Sequence, residues 1–257
     1  MRFKLTMIKR RIPRIFFTVM LYVVQSFAAA AEPITEPNKV AKPPLPPYTA
    51  QYTLYRGGKN IGVGTIRLKP VSESQWQFGT ESSASVMFFS AQDQETSTFV
   101  WENGYPKPLQ FEKRLTLPFK DRFTVQSFDW LAMKETGKNE KRQWQTDLLS
   151  GTHDIQTQVL SMQIDLLHGK KRFHYKVSKK GGLRDYHYTV VGTELLDTDI
   201  GKLKTIRVER EHDKEDDRQT ITWFAQDHLY IPVRLQFFED GEEEGDLRIK
   251  SIQSTTP

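Results

Sequence analysis

Residues 48–68 read YTAQYTLYRGGKNIGVGTIRL, and the period of this stretch decides the fold class. Tyr48, Ala50, Tyr52 and Leu54 alternate with Thr49, Gln51, Thr53 and Tyr55. Successive side chains of an extended chain fall on opposite faces, so this is the pattern of a strand buried on one side. Gly57, Gly58, Lys59 and Asn60 then supply a turn, and 61–69 returns as a second strand with a bulge expected near Gly62 and Gly64. Similar segments follow at 76–82, 96–102, 109–115, 122–130, 172–178, 184–191, 203–211, 219–225, 232–239 and 245–252. Their connections contain Asn103-Gly104, Gly181-Gly182 and Asp240-Gly241, dipeptides that accept the positive φ of tight antiparallel turns. The expected fold is mainly β: a strongly curved antiparallel sheet or open β-barrel.

One segment departs from the period of two. Ile155, Val159, Met162 and Leu166 recur at helical spacing, with Thr152 or Asp154 available as N-cap and Gly169 as terminator. The expectation is one inserted amphipathic α-helix with its apolar side on the sheet, placed where it can act as a lid. No second proline-rich linker divides the strands, so 48–252 is expected to be a single β-rich domain followed by a short tail, 253–257.

The first 47 residues read as an address and a tether. Six basic residues precede an apolar run at 15–24, and Ala28, Ala29, Ala30 and Ala31 follow, the order of a secretory signal peptide. The run has ten residues where a spanning helix needs roughly twenty, so the expectation is cleavage after Ala31 and export to the periplasm. Residues 32–47, EPITEPNKVAKPPLPP, hold six of the 13 prolines. Proline lacks an amide hydrogen and restricts the residue before it, so this segment is expected to be an extended solvated linker.

Charge narrows the partners. The chain has 37 Lys+Arg against 32 Asp+Glu, but removing the six basic residues of the first 31 leaves 31 against 32. A near-neutral body lacks the positive footprint of a nucleic-acid-coating protein, and no nucleic-acid partner is expected. Basic clusters at Lys170, Lys171, Arg172 and at Lys179, Lys180 read as a solvated face or a contact for anionic envelope lipid. The absence of cysteine excludes disulfides, thiolate metal sites and cysteine nucleophiles.

Catalytic motifs are not found. There is no G-x-S-x-G, and Ser90 and Ser161 lie in no recognisable elbow for any of the six histidines to serve. No H-x-x-x-H or H-E-x-x-H occurs, and the acidic stretches 212–217, HDKEDD, and 239–246, EDGEEEGD, lack the ligand spacing of a calcium loop. No catalytic residue, metal site or cofactor is assigned. The candidates for ligand binding are instead aromatic: Phe78, Trp101, Phe111, Phe128, Trp130 and Trp223 fall on alternating strands, where they either line a concave apolar face or fill an ordinary core.

Beyond these patterns the sequence resembles a family. Residues 48–68, 98–114 (TFVWENGYPKPLQFEKR), 128–130 (FDW), 153–166 (HDIQTQVLSMQIDL), 190–210 (VVGTELLDTDIGKLKTIRVER) and 222–236 (TWFAQDHLYIPVRLQ) are similar to domain of unknown function family 3108, exported proteobacterial proteins without assigned chemistry. More distantly, a curved sheet with a helix is similar to the lipoprotein-carrier folds of the Gram-negative periplasm, which hold acyl chains against a concave face. The resulting expectation is a periplasmic, non-enzymatic protein that binds a lipid or lipoprotein acyl chain. The alternatives are an envelope interaction module for a protein or glycan partner, or a cell-wall polysaccharide hydrolase with two carboxylates facing each other across a cleft.

Overall fold

The computed structural model describes residues 43–86, 89–211 and 218–254. The expected signal peptide, most of the proline-rich linker, the acidic stretch 212–217 and the end of the C-terminal tail lie outside the described residues. Numbered in chain order, the strands are β1 Tyr48–Arg56, β2 Lys59–Pro70, β3 Gln75–Val86, β4 Phe89–Glu102, β5 Tyr105–Thr116, β6 Arg122–Asp129, β7 Lys134–Asn139, β8 Gln143–Asp147, β9 Thr152–His153, β10 Arg172–Lys179, β11 Gly182–Thr198, β12 Gly201–Arg210, β13 Arg218–Ala225, β14 Ile231–Glu239 and β15 Glu242–Ser254. The helix α1 spans Thr157–Leu167.

All fifteen strands form one sheet in the order β8-β7-β6-β5-β4-β3-β2-β1-β15-β14-β13-β12-β11-β10-β9. The chain starts in the middle of the sheet. It meanders outward to β8, crosses to β9 and α1, and meanders back until β15 closes against β1, with Tyr48 opposite Ser254 and Tyr52 opposite Ile249. Every pairing is antiparallel except β9 with β10. The sheet is open: β8 and β9 are its two edges, joined in sequence but not by a ladder.

The β1–β2 hairpin forms as the alternation predicts, and its bulge lies where the glycines suggested: Leu54 pairs with Gly62 and Tyr55 with Asn60, leaving Ile61 unmatched. Gly62 has a steric role as well, since a Cβ there would stand 1.9 Å from the carbonyl oxygen of Ser83. Three strands escape the sequence patterns. β7 (KETGKN) and β8 (QWQTD) carry too few apolar residues to alternate visibly, and β9 has two residues.

The helix corrects one expectation. It is not a lid but a plug, with Thr157, Gln158, Leu160, Ser161, Met162, Gln163, Ile164, Asp165 and Leu166 all buried. Leu160 and Ile164 enter a cluster with Tyr48, Tyr52, Phe78 and Phe99, while Met162 and Leu166 enter another with Phe173, Tyr175 and Phe224. Full burial of each such aliphatic side chain contributes about 1.5–3 kcal/mol. Polar positions are tolerated because strands meet them: the Tyr48 hydroxyl donates to Gln163 at 3.0 Å, and the Tyr188 hydroxyl donates to Gln158 at 3.0 Å.

Both helix ends follow from the sequence. Asp154 Oδ1 accepts the backbone N–H groups of Gln156 and Thr157, each at 2.8 Å, satisfying donors that a helix start leaves free. Gly169 adopts φ +77, and the Lys170 N–H returns to the Asp165 carbonyl at 3.0 Å, as in a left-handed helix terminus. Packing also reaches further toward the N-terminus than Tyr48. Leu45, inside the proline-rich segment, is 1% exposed and joins the main core.

Candidate functional site

The two flanks of the sheet come together along a seam. Midway along it Glu135 on β7 is buried, accepting from Gln126 at 2.8 Å, from the Trp144 indole at 2.9 Å, and from Ser178 on β10. Toward one end Arg142 donates to the carbonyl of Lys180 at 2.6 Å, tying the β7–β8 turn to the β10–β11 turn. At the other end the seam is open, and a cleft of about 510 Å³ occupies the gap. That volume lies in the range typical of small-molecule sites.

The cleft is built by the β4–β5 hairpin, the β6–β7 turn, β9 and the segment leading into it, one face of α1, and Lys170 with the start of β10. Pro106, Pro108, Trp130 and Met133 give it an apolar wall. The Trp130 indole donates to the Pro108 carbonyl at 2.6 Å, and Lys107 lies 5.1 Å from the ring centroid. Ser161 and Asp165, one helical turn apart on α1, face it from the inside.

Asp165 organises the polar side. Tyr105 donates to Oδ1 and Tyr175 to Oδ2, both at 2.7 Å, and the Lys170 ammonium stands 2.7 Å from Oδ1. Burial, followed by the bond to Asp165, pushes the Tyr175 hydroxyl well above its ordinary range, and the same causes raise Tyr105. The bond to Asp165 raises Lys170, which therefore stays charged. Burial lowers His153 from 6.5 to about 4, against the pull of Asp165. Its imidazole is thus neutral near pH 7 and packs edge-on against Tyr175 at 5.4 Å.

Three polar atoms in this cleft have no partner: Thr152 Oγ1, His153 Nδ1 and Ser161 Oγ. They are half of the six buried side-chain polar atoms left unpaired among the described residues. Thr152 is 2% exposed and Ser161 0%. A buried polar group without a hydrogen bond costs about 1–3 kcal/mol, and three in one cavity mark a place where a polar partner belongs.

The cleft holds a serine, a histidine and an aspartate without the connectivity of a catalytic triad. Ser161 Oγ and His153 Nδ1 lack any hydrogen bond, and Asp165 is engaged by Tyr105, Tyr175 and Lys170. Activation of a serine needs the base on its hydroxyl and the acid on the base. Among the described residues no group of three or more metal-ligating side chains is placed to hold a metal ion.

Of the six aromatic candidates from the sequence, Trp130 lines the cleft and the other five do not. Phe78, Phe111, Phe128 and Trp223 are buried in the core clusters. Trp101 is half-buried, edge-on to Phe99 at 5.0 Å and Trp76 at 5.9 Å. Core filling, weighed against a concave apolar lining for all six, describes the positions of Phe78, Phe111, Phe128 and Trp223. Sequence reasoning did not single out Tyr105, Asp165 or Tyr175 as site residues, and it named Thr152 only as a helix cap. The available signal was Ser161 and Asp165, polar residues one turn apart on the same side of the helix.

Fold and site together define a class: a barrel-like open antiparallel sheet, plugged by a single helix, with a ligand-sized cleft where its flanks fail to join. The chain belongs to the family described as protein of unknown function DUF3108, whose model matches residues 51–248. A solved structure of similar shape is the beta-barrel-like protein of domain of unknown function DUF1849 from Brucella abortus, with TM-score 0.58 and 10% identity, covering 82% of this chain and 99% of that one. At that identity the likeness is one of fold. No curated protein matches the chain.

Proposed function

We propose that this protein is an exported, non-enzymatic binding protein of the cell envelope that holds one amphipathic, lipid-class ligand in the seam cleft. The hydrocarbon part lies against Trp130, Met133, Pro106 and Pro108. The polar end meets Thr152, His153 and Ser161. Transfer of hydrocarbon from water onto the apolar wall drives binding, at about 0.8 kcal/mol per buried methylene, and the three unpaired groups orient the ligand. Periplasmic residence rests on the order of basic, apolar and small residues in the first 31 positions.

The observation that carries the reading is the coincidence of three unpartnered buried polar atoms with one roomy, partly apolar cavity. The reading departs from the sequence expectation in location, because α1 is buried against the sheet and the cleft that gathers the unpaired polar atoms lies at the seam. Mass spectrometry of solvent extracts tests it. Protein purified without detergent should release a lipid-class compound in near-stoichiometric amount, and the Trp130→Ala variant should release at least about tenfold less. Equal recovery from both, or a sugar as the sole extract, contradicts the reading.

A further inference from the structure

We propose that the end of the sheet opposite the cleft is a docking surface for an anionic lipid bilayer. In a meander alternate turns share an end, so the β3–β4 tip, the β5–β6 connection and the β7–β8 turn lie together, and the bond from Arg142 to the Lys180 carbonyl brings the β10–β11 turn beside them. The cleft is built from the intervening connections, at Tyr105 and Trp130, and so lies at the other end.

This end is greasy where hairpin tips are normally polar. Residues 82–92, SSASVMFFSAQ, carry no charge and none of the Gly, Asn or Asp that tight turns favour. The last pair of the β4–β5 ladder is Gln92 with Thr116. Phe89 and Phe119, each three residues beyond it, meet edge-on at 6.4 Å. They remain 59% and 90% exposed, and Phe123, near the start of β6, is exposed as well. Aromatic side chains held in water at a protruding edge serve an interaction, since burial is where their apolar area contributes.

Charge identifies the partner. The neighbouring connections 117–122, 139–142 and 179–182 contain Lys120, Arg122, Lys141, Arg142, Lys179 and Lys180 against only Asp121 and Glu140. The acid-rich connections, 211–217 between β12 and β13 and 239–246 between β14 and β15, belong to strands of the other flank. Exposed phenylalanines with excess cations on the connections to one side of them fit a bilayer with anionic headgroups, into whose interfacial zone the rings insert while cations such as Lys120 and Arg122 meet phosphates.

The absence of cysteine in the chain makes a clean test available. Phe119→Cys, labelled with a polarity-sensitive fluorophore, is compared in the full chain with the same label at Val71→Cys, an exposed site on a turn at the cleft end. The probe is a vesicle of phosphatidylethanolamine with about one-third phosphatidylglycerol. Expected is a blue shift at position 119 and none at 71, with apparent affinity reduced at least about tenfold by Lys120→Gln with Arg122→Gln, and likewise by raising salt to about 0.5 M. No shift at 119, equal shifts at both positions, or a shift that depends on protein concentration without vesicles, as self-association would give, overturns the proposal.

Discussion

Glu135 on β7 accepts a hydrogen bond from Ser178 on β10, although these strands stand at opposite ends of the sheet order. A fully closed barrel joins its last strands by a backbone ladder. Here side chains join them instead, with Gln126 and Trp144 completing the shell around one buried carboxylate. The seam is therefore fastened at particular points and can stay open where the fastening ends, which is where the cleft lies.

Replacing that carboxylate tests the fastening. Glu135→Ala leaves the Ser178 hydroxyl and the Trp144 indole without their acceptor and Gln126 with only its 3.2 Å bond to Ser178, and the expected loss is about 2–4 kcal/mol in urea unfolding. Glu135→Gln should recover part of it. An unchanged urea midpoint for Glu135→Ala would show that the flanks do not depend on this contact.

A second fastening is steric. Gly181 sits at φ +74 with the Trp144 ring so close that a Cβ would stand 2.6 Å from it. Gly181→Ala is expected to destabilise by about 1–3 kcal/mol, from the left-handed backbone and the displaced indole together. Amide exchange should quicken in β8 and at the β10–β11 turn while the β1–β15 centre stays protected.

The adjacent residues His153 and Asp154 oppose each other in pH dependence. His153 has its folded pKa lowered from 6.5 to about 4 by burial. Its contribution is full above pH 6.5 and is lost as pH falls toward 4. Burial raises Asp154 from 3.8 to about 6 against its hydrogen bonds, so its contribution is full below pH 3.8 and is lost as pH rises through 6. Each swing amounts to about 3 kcal/mol, and in the wild type the two largely cancel between pH 4 and 6. His153→Gln should therefore gain stability on acidification relative to wild type, and Asp154→Asn should lose it. Urea midpoints at pH 7 and pH 4 decide, and parallel behaviour of the two variants would contradict the assignment.

The fold was legible wherever one face of a strand is buried and the other wet, as in 48–68. It was illegible at β7 and β8, where KETGKN and QWQTD present few apolar residues to either face. The helix was visible by its spacing, but its depth was not. Gln158, Gln163 and Asp165 are buried although polar, met by the hydroxyls of Tyr188, Tyr48, Tyr105 and Tyr175 from four separate strands, with the Leu229 carbonyl and the Lys170 ammonium as further partners. The site stayed hidden for the same reason. Its polar groups belong to β5, β9, α1 and β10, and nothing local in any of those segments announces the others. Trp130 was found because large aromatics were singled out, and its neighbours were missed because tyrosines and a lone acid in a helix were not.

The central claim, that the seam cleft takes an amphipathic ligand by its polar end, is tested most directly at His153 itself. The imidazole resonances of this residue can be followed by NMR during titration with dodecanoate at neutral pH. The account predicts that His153 shifts saturably while His228, away from the cleft, does not, and that Ser161→Val or Trp130→Ala weakens the response at least about tenfold. A His153 signal that stays fixed at saturating dodecanoate, or one that moves no more than His228, contradicts it.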